Sequence, residues 1–238
     1  MFAGPNGSGK STIKEIISTH LLGVYLNADD IEKHIRQTKT YDLSLYVPNA
    51  LAQDALDYFY ESSFLASAGL QDYIQQIGAH GHILDFSGIQ INSYFASVLV
   101  DFLRRQLLQQ KISFTFETVM SSKDKIDFLR LAQQQGFRTY LYFVATADPE
   151  INISRVAYRV KTGGHPVPKD KIVQRYYRSL DYLMDAITYS NRAYIFDNST
   201  DNDAESVLLA EITDGVELEL KVDTVPRWFK TAVLDKFS

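Results

Sequence analysis

Residues 4–12 read Gly-Pro-Asn-Gly-Ser-Gly-Lys-Ser-Thr and fit the spacing G-x-x-x-x-G-K-[ST], with Gly4, Gly9, Lys10 and Ser11 in the fixed places. Glycines accept positive φ, so successive backbone N–H groups can turn toward one concave site. A helix opening near Lys10 adds the positive end of its dipole. Asn6, Gly7, Ser8, Gly9, Lys10, Ser11 and Thr12 are therefore the expected cradle for nucleotide phosphates. Lys10 would reach the β- and γ-phosphates, and the Ser11 hydroxyl would be the metal ligand, for Mg²⁺. ATP and Mg²⁺ are the implied ligands. Such a loop needs a buried strand before it, normally about five residues long. Only Met1, Phe2 and Ala3 precede Gly4, so that strand is either unusually short or begins before the recorded start.

The remainder alternates between strand-like and helix-like stretches. Val24-Tyr25-Leu26, Ile112 to Phe116, Thr139 to Val144 and Tyr194-Ile195-Phe196 read as short buried strands. Helical spacing follows the loop to about His20, then recurs over 31–37, 123–135, 149–159 and 170–188, and as the stripe Ile91, Phe95, Val98, Leu99, Phe102. Strands alternating with helices predict a parallel sheet with right-handed crossovers. The fold class is α/β, a P-loop NTPase of the nucleoside- and shikimate-kinase-like type. One domain, 1–238, is expected to hold a helical insertion at 41–88 and to end in a β-hairpin and tail at 203–238, turning at Asp214-Gly215. In 41–88, Leu51, Ala55, Tyr58, Phe59 and Leu65 recur at helical spacing before Gly69, while His80 and His82 read as loop or core residues. Asp29 and Asp30 follow a strand and open a helix, so one is expected to cap it and the other to do chemistry.

Composition removes several function classes. The 238 residues carry a net charge of -5 and no cysteine, which excludes disulfides and thiolate chemistry. Nothing points to a nucleic-acid or anionic-membrane surface. No apolar run approaches the roughly 20 residues that span a bilayer. With the phosphate loop at its start in place of a signal peptide, the chain is expected to be cytoplasmic.

Phosphoryl transfer needs positive charge on the transferring group, a group to orient the acceptor, and exclusion of water. Arg155, Arg159 and Arg175 flank the loop Lys161-Thr162-Gly163-Gly164-His165-Pro166-Val167-Pro168-Lys169, the arrangement expected of a closing lid. Arg155 and Arg175 are candidate nucleotide contacts, and Arg159, with Lys10 and Asp29, a candidate catalytic residue. Asp29 is placed to take the proton of an acceptor hydroxyl, with Asp30, Glu117 and Thr118 as candidate substrate contacts.

Four separated motifs then combine: AGPNGSGKST at 3–12, LNADDI at 26–31, FETVMS at 116–121 and RVAYRVKTGGHPVPKDKIVQRYYRSL at 155–180, followed by YIFDNS at 194–199. Together they resemble the zeta-toxin-like group of P-loop kinases; no LSGGQ-like signature of an ABC-type ATPase is present. The resemblance implies that Asp29 is the base that activates a sugar hydroxyl, Glu117 a substrate-contacting acid and Arg159 a phosphate-contacting lid arginine. It also implies a Mg²⁺-ATP-dependent kinase of a small hydroxyl-bearing metabolite, a UDP-sugar in characterised zeta toxins, and an antitoxin or other protein as partner. The shorter FETVMS and GGHPVP forms depart from those toxins, so the sugar nucleotide does not carry over with ATP and Mg²⁺. The competing class is an ATP-binding or ATP-hydrolysing switch whose 41–88 insertion is the partner interface.

Overall fold

The computed structural model describes residues 1–162, 164–200 and 206–237. Gly163 of the expected lid and residues 203–205 and 238 of the expected tail lie outside the described residues. Along the chain come β1 (Phe2–Ala3), α1 (Lys10–Ile16), β2 (Val24–Leu26), α2 (Ala28–Thr38), β3 (Thr40–Asp42), α3 (Ala52–Tyr60), α4 (Ser63–Ser67) and α5 (Gln71–Ile74). The hairpin β4 (Gly78–His80) and β5 (Ile83–Asp85) precedes α6 (Ser93–Gln109), β6 (Phe114–Thr118), α7 (Asp124–Gln134) and β7 (Tyr140–Ala145). Then follow α8 (Pro149–Lys161), α9 (Lys169–Asp181), α10 (Leu183–Thr188), β8 (Arg192–Asp197), β9 (Val207–Thr213), β10 (Glu217–Leu220) and α11 (Arg227–Ala232). The chain divides into two compact units, Met1–Ser18 with Glu117–Ser238, and Thr19–Phe116.

In the first unit the strand order is β10-β9-β8-β7-β1, with the last two residues of β6 beside β1. β6, β1, β7 and β8 run parallel, β9 is antiparallel to β8, and β10 returns antiparallel to β9 after the expected turn at Asp214-Gly215. β1 is short but central. Phe2 pairs with Glu117 on one side and Tyr142 on the other, and Ala3 with Thr118 and Phe143. Met1 extends this pairing, because its carbonyl accepts from Tyr142 N–H at 2.9 Å and its amino group donates to the Tyr140 carbonyl at 2.6 Å. The ladder positions that a missing strand would orphan are thus filled. Leu141, Phe143, Val144, Ala193, Ile195, Ala210 and Ile212 form the buried sheet core, with Trp228 and Phe229 of α11 anchored against it. The expected helix over 170–188 is two helices, broken at Tyr182.

In the second unit β2 runs parallel to the first three residues of β6, Val24 beside Phe114 and Leu26 beside Phe116. Helix α6 buries Phe95, Leu99, Phe102 and Leu103, and Phe59 of α3 meets Phe95 edge-on at 5.8 Å. Residues 41–88 hold the expected helical pieces and also a three-stranded antiparallel sheet, β3-β5-β4. Its strands are three residues long, so the alternation that buries Tyr41 and Leu84 between Asp42, Ile83 and Asp85 is too brief to stand out from helical spacing. Gly81, at φ 59°, makes the tight turn between β4 and β5.

Candidate nucleotide phosphate site

The phosphate loop leaves β1 at Gly4 and enters α1 at Lys10, as the motif requires. Gly7 and Gly9 have φ of 74° and 94°, conformations that turn neighbouring N–H groups to one side. The N–H of Ser8 closes a turn onto the Pro5 carbonyl at 3.3 Å. Among the described residues, the N–H groups of Gly7, Gly9 and Ser11 have no protein acceptor. Unfilled donors at the start of a helix are what an anion takes up, so the cradle fits nucleotide phosphates. The buried Ser8 hydroxyl likewise lacks a partner.

Lys10 is folded back over the loop. Its Nζ donates to the carbonyls of Gly4 at 3.0 Å and Pro5 at 3.1 Å and lies 3.8 Å from Glu117 Oε1. With a side chain only 8% exposed, the ammonium is placed by the loop's own carbonyls and by one carboxylate. Ser11 and Thr12 are exposed at the first turn of α1, where a hydroxyl is open to a metal ion. Glu117 and Thr118 end β6. Thr118 Oγ1 accepts from the N–H of Met120, which is buried at a φ of 56°.

The three arginines have different placements. Arg175 of α9 reaches the loop, its NH1 donating to Asn6 Oδ1 at 3.3 Å. Arg159 is exposed in the last turn of α8, and its carbonyl accepts from Gly164 N–H at 2.9 Å, which turns Gly164 back on the helix. Arg155 turns instead to main chain: NH1 and NH2 donate to the carbonyls of Asn198 and Thr200, both at 2.8 Å.

Two asparagines complete the surroundings of the loop, and neither stood out as a candidate in the sequence. Asn152, fully buried in α8, donates from Nδ2 to the Asn6 carbonyl at 2.7 Å and accepts from the Thr146 hydroxyl. Asn198, just after β8, donates from Nδ2 to the Ser8 carbonyl at 2.9 Å. The available signals were an amide in the buried stripe of α8, four residues before Val156, and the Asn-Ser end of YIFDNS. Asp197, at the end of β8, is a fastening point. Its oxygens accept from Ser199 N–H at 3.0 Å, Ser199 Oγ at 2.8 Å and Trp228 Nε1 at 2.7 Å. Behind it, the buried Tyr176 hydroxyl donates to the Thr146 carbonyl at 2.6 Å, and burial pushes the phenol well above its ordinary pKa.

Asp29 and Asp30 stand in the first turn of α2, in the second unit, both exposed. Neither is the cap. Asn27 takes that role, its Oδ1 accepting from the N–H of Asp29 at 2.8 Å and of Asp30 at 3.3 Å. Asn is as good a cap as Asp and precedes the helix, so the aspartates supply only N–H groups to the cap. Among the described residues no helix is long and apolar enough to cross a membrane, and no group of three or more His, Asp or Glu side chains is arranged to hold a metal ion.

Comparison with known proteins agrees with this architecture. An uncharacterised protein of Haemophilus influenzae is 33% identical over 69 residues, 29% of this chain and 49% of that protein. The chain therefore spans about half of this curated relative. Two crystal structures of the AvrRxo1-ORF1:AvrRxo1-ORF2 complex, one with sulphate ions and one with ATP, superpose with a TM-score of 0.51 at 18% and 19% identity. Each superposition covers 92% of this chain and 60% of the other. The likeness is one of fold, a mostly parallel sheet flanked by helices. The Zeta toxin family profile matches residues 89–209, which include Glu117, Arg155, Arg159, Arg175 and Asn198. That profile spans just over half of the 238 residues, and the chain belongs to the Zeta toxin family.

Proposed function

We propose that the chain is a kinase that transfers the γ-phosphoryl group of ATP to a hydroxyl of a small metabolite, a nucleotide sugar being the first class to try. The observation that carries this reading is the loop itself: unfilled N–H groups at Gly7, Gly9 and Ser11 beside a Lys10 ammonium held at the loop's carbonyls. The family membership and an ATP-bound complex of similar fold support the same donor.

In this reading the loop N–H groups and Lys10 bind the β- and γ-phosphates, and the Arg175 guanidinium, already at Asn6, adds charge at the rim. Arg159 comes to the transferring group when the 161–169 segment closes, excluding water. Mg²⁺, held by the Ser11 hydroxyl and the phosphates, would neutralise charge on the phosphate oxygens. Glu117 holds Lys10 in place and, with Thr118 and Asp30, contacts the acceptor. Asp29, exposed in the first turn of α2, accepts the acceptor's proton. Transfer of label from γ-³²P-ATP to a component of a metabolite extract tests this. Asp29→Asn is expected to stop transfer while sparing ATP binding. Release of free phosphate alone, with every acceptor tried, would replace the kinase by a hydrolytic switch.

One observation favours the switch or toxin–antitoxin reading as an addition. Residues 41–88 contain six Asp or Glu and no Lys or Arg, so this stretch alone exceeds the chain's net charge of -5. The same stretch exposes Tyr60, Phe64 and Tyr73, each about half accessible, and Phe64 is ring-packed with Tyr94 at 5.0 Å. Gln71 donates to the Tyr60 carbonyl at 3.3 Å, which ties the start of α5 to the end of α3. Aromatic side chains amid one sign of charge suit a basic protein partner.

A further inference from the structure

We infer that Asn198 is a positioning residue for the phosphate loop: its side-chain amide fixes the Ser8–Gly9 peptide in the phosphate-receiving form, with Asn152 fixing the opposite side of the loop. The inference rests on the reading of residues 4–12 as an ATP site.

Asn198 is itself held at three points. Its N–H donates to the Ala145 carbonyl at 2.8 Å, its carbonyl accepts from Arg155 NH1 at 2.8 Å, and its Nδ2 donates to the Ser8 carbonyl at 2.9 Å. The turn that carries it is closed by Ser199, whose hydroxyl donates to Asp197 and accepts from the Ala147 N–H at 2.8 Å. A side chain with so few alternatives transmits position rather than adapting to it. On the other side, Asn152 is fully buried and reaches the Asn6 carbonyl at 2.7 Å.

The two amides grip carbonyls on opposite sides of the Gly7 turn. Holding the Ser8 carbonyl fixes the plane of the Ser8–Gly9 peptide, because the peptide unit is rigid, and so aims the Gly9 N–H. That N–H is one of the donors without a protein acceptor. The fit is close: a Cβ built on Gly9 would stand 2.0 Å from Asn198 Nδ2. Arg155, placed with the nucleotide contacts by sequence, supports the grip through the Asn198 and Thr200 carbonyls.

The test is ATP affinity, measured by calorimetry below the melting temperature of every variant, together with that melting temperature. Asn198→Asp keeps size and shape but cannot donate to the Ser8 carbonyl, and it places a carboxylate near the phosphates. It is expected to weaken ATP binding at least tenfold, and Asn198→Ala about tenfold. A double-mutant cycle gives the readout that a merely structural role would not move. Gly9→Ala should nearly abolish binding in the wild-type background, and Asn198→Ala should recover part of that loss, because the atom in collision has gone. Unchanged ATP affinity in folded Asn198→Asp, or a lowered melting temperature with affinity intact, would overturn the inference. If Asn198→Ala does not fold, Asn152→Asp, which removes the donor to Asn6, answers the same question. Failure of the ATP reading shows separately, as a wild-type chain that does not bind ATP or a Lys10→Ala variant that binds it equally well.

Discussion

Lys10 gives the plainest test at the level of single residues. Its ammonium donates to two loop carbonyls and lies near the Glu117 carboxylate, at the start of the helix that the phosphates would meet. Charge-assisted hydrogen bonds contribute about 1.5–3 kcal/mol each, so Lys10→Ala should weaken ATP binding by roughly ten- to a hundredfold, read by calorimetry. The melting temperature should change less, because the lysine's stabilising contacts are to carbonyls that water can replace. Gly4 behaves oppositely. A Cβ there would lie 2.0 Å from the Val144 carbonyl, a backbone atom of β7 that cannot move aside, and the φ of 142° is unsuited to alanine. Gly4→Ala should destabilise the fold by about 3 kcal/mol or more, seen in denaturant unfolding. One glycine serves packing and its neighbours serve the ligand, although the motif presents them alike.

Among elements, the supports behind the loop are the part that pattern reading recovers least. The strands β2, β6, β7 and β8, their parallel sense and the start of α8 at Asp148-Pro149 were legible, since hydrophobic runs and the Asp-Pro pair report local preferences directly. The triangle of β8, α8 and α11 was not. Asp197, Asn198, Asn152 and Trp228 act through contacts between residues tens of positions apart, and no spacing rule encodes those. The expectation that Asp29 or Asp30 would cap α2 failed for a local reason: three candidates within four residues, Asn27, Asp29 and Asp30, fit the same helix start. The 170–188 helix broke at Tyr182 without a glycine or proline to announce it. At this scale Trp228→Phe should keep the ring packing with Phe143 and Phe229 but lose the bond to Asp197. A loss of about 2 kcal/mol in stability is expected, with ATP affinity falling as well if the Asp197–Ser199 turn carries Asn198 as inferred.

For the molecule as a whole, the candidate residues divide between the two units, with the phosphate loop, Glu117 and the arginines in one and Asp29 and Asp30 in the other. The donor half was legible from nine residues; the acceptor half came from a resemblance, and Asp29 lies outside the matched stretch 89–209. ATP at a hundred times its dissociation constant should stabilise the folded chain by about 2.7 kcal/mol, a rise of several degrees in melting temperature, and Lys10→Ala should cut this to about 0.4–1.4 kcal/mol at the same ATP concentration. Replacing the exposed Tyr60, Phe64 and Tyr73 by serine should each change stability by about 0.5 kcal/mol or less, and loss of a bound protein partner in these variants would assign 41–88 to recognition. The central claim, transfer to a hydroxyl, is tested most directly by ³¹P NMR of the chain with ATP, Mg²⁺ and a panel of nucleotide sugars and other hydroxylated metabolites. A new phosphomonoester resonance growing as ATP is consumed, absent with Asp29→Asn and Lys10→Ala, is the predicted result. Inorganic phosphate as the only product across the panel, at equal rates in wild type and Asp29→Asn, would contradict it.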